Sequence, residues 1–305
     1  LTRLGLASFI MRGRSQAALV ATVFAVLSLL FPLTGMLSSA TLSLATLRQG
    51  PGEGLIVGGM AGLATGLFAF AALGSPLPAI GFILALWLPA WVLAVVLRNS
   101  RSQSLTLMVA GLIGLAILMG LNLGVADPAA YWAEIMEPLR QGLIEGGILK
   151  DAESQLLIQD LARWMTAAFA ATFYFQALLA LLLGRWWQSL LYNPGGFGEE
   201  FRNLRLGKGL GALGPILIAF LLLRGENQWA ADLLILITPL FMLQGLALIH
   251  WLVKALQASR GWLIGLYALF LLALPHAQVL TAGLGLADIW VNVRARMSPR
   301  TTEKN

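Results

Sequence analysis

Residues 54–73 read GLIVGGMAGLATGLFAFAAL, twenty positions without a charge. As a helix at about 1.5 Å per residue, the run is long enough to cross the ~30 Å hydrocarbon core of a bilayer. It shows no period of two, and its small residues at 58, 62 and 66 fall on one helical face. Comparable runs recur along the chain, so this stretch decides the class. The expected fold is all-α, a polytopic helical membrane protein.

Composition agrees. Apolar residues make up 58% and charged residues 11% of the 305 positions, where soluble domains carry roughly a quarter charged. The ten-residue alternating segments of a membrane β-barrel are missing. The chain has no cysteine, which excludes disulfides, thiolate catalysis and Cys-held metals. The net charge of +6 comes from bases at the ends of apolar runs, the pattern of the positive-inside rule rather than of a nucleic-acid surface. The first apolar run has no A-x-A-like site and merges into a second, so no cleavable signal peptide is expected.

Arg3, Arg12 and Arg14 precede the first run, which places the N-terminus in the cytoplasm. Residues 16–31 and 33–47 flank Pro32, as one kinked helix or, favoured by Arg48 and the RQGPGEG turn, a short hairpin. Segments at 54–73, 78–97 and 105–125 follow, with Arg98 and Arg101 of RNSR marking the inner side. Later segments lie at 164–183, 210–223 and 229–253, and a Pro-broken pair runs from Trp262 through Pro275 to about Val293, again read as a hairpin. The layout holds eight to ten spans in one integral membrane domain over 1–297, with a disordered tail at 298–305. Short Pro-broken segments at both ends can mark a transporter binding site.

The long hydrophilic stretch 127–163 carries seven of the fourteen acids against three bases. Apolar residues recur at Tyr131, Ile135, Met136, Leu139 and Leu143, then at Leu156, Leu157 and Leu161, which is helical spacing. Gly146-Gly147 separates the two halves. An amphipathic extracytoplasmic helical hairpin is expected, lying on the outer leaflet.

Few residues carry chemistry. Asp232 and Asp288 are the only acids inside apolar segments, each near a helix end and expected to be wetted. His250 and His276 lack a metal-ligand spacing, and no nucleophile-elbow or phosphate-loop motif occurs. No metal, cofactor or enzymatic activity is expected. Neutral polar residues at depth either bond across helices or line a cavity; Thr65, Asn122, Gln176 and Gln244 are the candidate ligand-cavity set. Small residues at Ala17, Ala21 and Ala25 form a stripe that serves packing within the chain or docking of a partner.

One polar patch interrupts the apolar background: LLYNPGGFGEEFRNLRLGKG, residues 190–209, within a cytoplasmic loop at 185–209. Pro194-Gly195-Gly196 must break the preceding helix. Glu199-Glu200 suit the first turn of a short helix presenting Phe201 and Leu204, with Arg202, Arg205 and Lys208 toward phosphates or water. The patch is an interfacial elbow or a docking surface built on Phe201, Arg202 and Arg205.

LLYNPGGFGEEFRNLRLG, together with GLADIWVNVRAR at 285–296, resembles the YybS-like family of bacterial inner-membrane proteins, a domain of unknown function (number 2232). The resemblance covers nearly the whole chain and implies an architecture similar to the S components of energy-coupling factor transporters. In those proteins small residues on the first helix dock a coupling subunit, a use that Ala17, Ala21 and Ala25 would match. The chain departs from that pattern by its extra C-terminal spans and its acidic insert. The resemblance carries over no catalytic residue. The expected function is an S-component-like module that binds a small molecule or lipid and acts with partner subunits in transport, with membrane lipids and a membrane or cytoplasmic subunit as partners. The alternative is a non-transporting scaffold of a cell-envelope complex.

Overall fold

The computed structural model describes residues 5–225 and 227–297. Arg3, Glu226 of the RGENQ turn and the tail at 298–305 lie outside the described residues. In chain order the helices are α1 (Gly5–Ile10), α2 (Arg14–Leu27), α3 (Thr34–Gln49), α4 (Pro51–Leu73), α5 (Leu77–Phe82), α6 (Leu88–Ser100), α7 (Gln103–Gly124), α8 (Pro128–Ile135), α9 (Glu137–Glu145), α10 (Asp151–Tyr192), α11 (Gly196–Arg202), α12 (Lys208–Arg224), α13 (Gln228–Ala255), α14 (Gly261–Leu272), α15 (Leu274–Val291) and α16 (Val293–Met297). The described residues contain no strand. Five continuous helices, Pro51–Leu73, Leu77–Ser100, Gln103–Gly124, Asp151–Tyr192 and Gln228–Ala255, are long and apolar enough to cross a membrane, and α2 and α14 are shorter apolar helices. The chain is an all-α, multi-pass membrane protein. Its contacts fall into two compact units, residues 1–110 with 173–204 and residues 111–172 with 205–305.

In the first unit the Pro32 segment is a hairpin. Thr34 Oγ1 donates to Phe24 O at 3.1 Å and Ser38 Oγ to Ala21 O at 2.6 Å, so α3 folds back on α2. Every residue of α3 from Ser38 to Leu47 is buried. Four of its hydroxyls bond the carbonyl one turn back: Ser39 to Gly35, Thr41 to Leu37, Ser43 to Ser39 and Thr46 to Leu42. These bonds hide the hydroxyls from their neighbours and let a hydroxyl-rich helix occupy the core. Ala17, Ala21 and Ala25 are buried in the same core. The stripe packs the chain's own helices and is not an open docking face.

Between α5 and α6 the helix widens to a π turn at Ile83–Trp87. Pro89 explains it: proline lacks the N–H that would bond Ala85 O, and its ring crowds that carbonyl. In the π turn Trp87 is buried, and its indole Nε1 donates to Ser38 Oγ at 2.9 Å.

In the second unit α13 and α15 pack backbone to backbone and antiparallel. A Cβ on Gly245 would collide with Thr281 O, and one on Gly285 with Phe241 O. Glycine is required there because nothing larger permits the approach. The Pro275 segment divides at Ala273. The second part, α15, does the packing, while α14 has no buried residue and meets α13 through Tyr267 and His250.

The acidic stretch differs from the expected hairpin in two ways. Its first leg is broken at Met136, ahead of Pro138, into α8 and α9. Its second leg does not stop at Arg163 but runs on as α10, 42 residues to Tyr192, roughly 63 Å at 1.5 Å per residue. No proline or glycine stands between Asp151 and Leu183 to stop it. Arg140 clamps the turn by pairing with both Glu137 and Asp151, and it holds the Glu137 carboxyl below the usual carboxylate range through its hydrogen bonds. Trp132 Nε1 donates to Thr166 Oγ1 at 2.9 Å, fastening α8 to α10.

Candidate functional site

The basic helix ends of the first unit converge. Arg14 at the start of α2 forms a two-pronged pair with Glu53 at the start of α4, at 2.7 and 2.5 Å. The Arg48 guanidinium, at the end of α3, lies 4.0 Å from the Tyr192 ring centre at the end of α10. Leu47 O is one of the carbonyls that an α-helix leaves unpaired at its C-terminus. It accepts from Arg98 Nη1 of α6 and from Gln188 Nε2 of α10.

Beside these ends lies a cleft of ≈ 750 Å³ whose polar lining includes Arg98, Arg101, Gln103, Arg185, Gln188 and Glu200. That is the size of a small-molecule site. The polar loop helps to build it. Pro194-Gly195 stops α10, Gly195 takes φ 89, and α11 opens at Gly196, three residues before the expected Glu199-Glu200 start. Phe197 N–H donates to Ser189 Oγ, and the Phe197 and Phe201 rings stack at 6.0 Å. Glu200 is thereby aimed at Arg185: Nε donates to Oε2 at 3.0 Å and Nη2 to Oε1, with Gln103 Nε2 at 3.5 Å.

The charges in the cleft do not cancel. Glu200 is its only carboxylate among the described residues and is committed to Arg185. Arg98 bonds a carbonyl, and Arg101 forms no side-chain hydrogen bond or ion pair among the described residues. Gln103 Oε1 is buried with no hydrogen-bond partner there. A buried amide oxygen left alone costs about 1–3 kcal/mol, so the cleft presents surplus positive charge beside an unmet acceptor.

In the second unit the two sequence motifs meet. Gln244 uses both ends of its amide: Oε1 accepts from Leu206 N–H at 2.7 Å, and Nε2 donates to Asp288 Oδ2 at 3.1 Å. Asn292 adopts φ 50 and turns the chain back, so Val293 N–H reaches Asp288 Oδ1 at 3.2 Å and Arg294 Nη2 lies 3.7 Å from Oδ2. Asp288 is 5% exposed and Arg294 2%. Burial pulls the Arg294 guanidinium below its ordinary pKa, against the raising effect of Asp288. The expected wetting of Asp232 and Asp288 is therefore corrected. Neighbours cover both helix ends, and Gln228 Nε2 bridges Asp232 Oδ1 at 2.8 Å and Arg163 O at 2.7 Å.

The four residues expected to line a cavity are divided. Thr65 and Gln176 belong to the first unit, Asn122 and Gln244 to the second. Thr65 Oγ1 is buried without a partner among the described residues, and Asn122 Nδ2 donates to Leu118 O of its own helix. None of the four lines the arginine cleft. Of the docking set, Phe201 and Arg202 are half-buried in the first unit and Arg205 is exposed in the second. Gly58 and Gly62 border an apolar groove of ≈ 530 Å³ beside Trp87 and Trp91. Among the described residues no three His, Asp or Glu side chains gather as metal ligands. His250 Nδ1 contacts Leu246 O.

Sequence reasoning read Arg98, Arg101 and Arg185 as markers of one membrane face and passed over Gln103. The available signal was that bases from separate segments share a face. Which of them share a cleft is not written in their spacing. Family models, curated proteins and solved structures return no match to this chain.

Proposed function

We propose that this chain is a non-enzymatic binding module of a bacterial inner membrane, S-component-like, which takes a small molecule or lipid in the Arg98–Arg185 cleft and acts with partner subunits in transport. The observation that carries the reading is the buried Gln103 Oε1, which lacks a partner among the described residues, whereas Thr106, Asn122, Thr172 and Thr238 of the spanning helices bond their own turn. Such an acceptor is satisfied by a ligand.

The positive-inside rule puts the cleft on the cytoplasmic side together with the N-terminus, since Arg14, Arg48, Arg98 and Arg185 all lie at that end of the first unit. The excess of acids in the stretch 127–163 suits an extracytoplasmic position. The resemblance to YybS-like proteins belongs to this reading. With Ala17, Ala21 and Ala25 consumed in the core, a partner would meet the loop helix at Phe201 and Arg202 and the exposed Arg205.

Native mass spectrometry of the full chain, extracted in mild detergent, tests the reading. One bound small molecule or lipid per chain is expected, weakened by Gln103→Leu. A chain that retains nothing, with a stability indifferent to Gln103→Leu, would reject the module. Envelope-assembly proteins rather than a coupling subunit in stoichiometric yield would favour the scaffold.

A further inference from the structure

We infer that the ligand of the Arg98–Arg185 cleft carries a phosphate ester together with a hydroxyl or ammonium donor. This deepens the proposed function and rests on it.

Three features specify that chemistry. The first is the charge surplus. Arg98 comes from the last turn of α6, Arg101 from the residue that caps it, and Arg185 from α10. Only Arg185 has a carboxylate, Glu200. Two guanidiniums are left without a carboxylate, Arg98 with one donor already given to Leu47 O, and each is a planar fork of N–H donors that fits the oxygens of a phosphate. A carboxylate offers two oxygens and would leave one fork underused, whereas a phosphate group offers more acceptor positions.

The second is the backbone under Arg101. It stands at φ 53, ψ 22, the left-handed C-cap conformation that glycine or asparagine adopts at least cost. An arginine there bears a conformational cost of roughly 1 kcal/mol, yet no protein group among those described takes up its guanidinium. The side chain is exposed and lines the cleft, where its donors are available to a group outside the chain.

The third is the Gln103 Oε1 acceptor, two residues on and buried in the same lining. A ligand that brings its own donor beside the anionic group would satisfy it. The hydroxyls of a glycerol phosphate or the ammonium of an ethanolamine phosphate both do so. That chemistry occurs as a phospholipid headgroup and as a free phosphate ester, and the test separates the two sources.

The full-length protein is delipidated in detergent and titrated with sn-glycerol 3-phosphate, with succinate as the carboxylate control, by isothermal calorimetry. In parallel it is titrated by native mass spectrometry with phosphatidylglycerol and with phosphatidylcholine, whose headgroup lacks a donor. Arg101→Gln is the first variant, since the side chain forms no hydrogen bond or ion pair among the described residues and its loss should leave the fold intact. Arg98→Gln and Gln103→Leu follow, with Arg260→Gln, a residue outside the cleft lining, as a control for net charge.

Preference for glycerol phosphate over succinate, weakened about tenfold by each arginine change and less than twofold by Arg260→Gln, supports the inference with a soluble ester as source. The same pattern confined to phosphatidylglycerol over phosphatidylcholine supports it with a headgroup as source. Gln103→Leu should erase the discrimination between the two lipids. Tight binding of succinate or of an uncharged molecule, sensitive to Arg101→Gln, would overturn the phosphate inference and leave the binding module standing. No binding of any probe, with no effect of the variants on retained native ligands, would bring down both.

Discussion

Helices α3 and α4 are neighbours in sequence and opposites in placement. α3 is rich in serine and threonine, too short to cross a membrane comfortably, and buried without a gap from Ser38 to Leu47. α4 is a long apolar span that buries only a narrow stripe, Gly54, Val57, Ala61, Thr65 and Ala69, and turns Leu63 and Leu67 outward at 74% and 71% exposure. In water the order would be reversed. In a bilayer the solvent is as apolar as leucine, so nothing drives leucine inward, and close packing of small residues decides what is buried. The more polar of the two helices takes the centre because its hydroxyls are already bonded to their own turn.

Raising the hydropathy of α3 should therefore harm the protein. Ser43→Leu forces a branched side chain toward Gly184, where the approach is so close that even a Cβ added to that glycine would come within 2.9 Å of Ser43 Cβ. A loss of about 3 kcal/mol is expected in denaturant titrations of the detergent-solubilised protein. A stabilised Ser43→Leu would show that hydropathy, not packing, orders these helices.

The next largest effect belongs to Ser38→Ala, about 2 kcal/mol, because it leaves the buried Trp87 indole N–H without an acceptor. Trp87→Phe should cost less in the Ser38→Ala background than in the native one, since the bond is already gone and only the packing loss remains; additive losses would argue that the two side chains are independent. Ser39→Ala sharpens the contrast at the adjacent position. Its hydroxyl bonds only Gly35 O within its own helix, and a change within about 0.5 kcal/mol is expected. Equal losses for Ser38→Ala and Ser39→Ala would dissolve the distinction between cross-helix and own-turn hydroxyls. Leu63→Ala on α4 should be the smallest, below about 0.5 kcal/mol, for a side chain that faces lipid. A large loss there would place a protein surface against α4.

Much of the fold was legible because apolar length and helix breakers act locally. The run at 54–73 is α4 with the breaker Gly74 at its end, and Pro194-Gly195 ends α10 where expected. The misread parts are those where nothing local interrupts. Polar residues from Asp151 to Arg163 suggested a separate surface helix, but without proline or glycine the backbone bonds continue into Trp164. The reading of Asp288 as wetted failed for the opposite reason. Its position near a helix end is local, whereas its cover comes from Gln244, forty-four positions away, and from the return of Arg294 at the Asn292 turn. The alanine stripe was legible as a close-packing face, but not what it packs against.

By itself the sequence determined the class, the helical segments and the shared face of the bases, since desolvating backbone and charge is settled over twenty residues at a time. The tertiary structure decided which small face is buried, that Arg98, Arg101, Gln103 and Arg185 share a cleft, and that Glu200 neutralises only one of its guanidiniums. Those outcomes depend on distances between residues up to about a hundred positions apart. Helical periodicity sets the direction of a side chain around its own axis, and only packing sets the neighbour it meets.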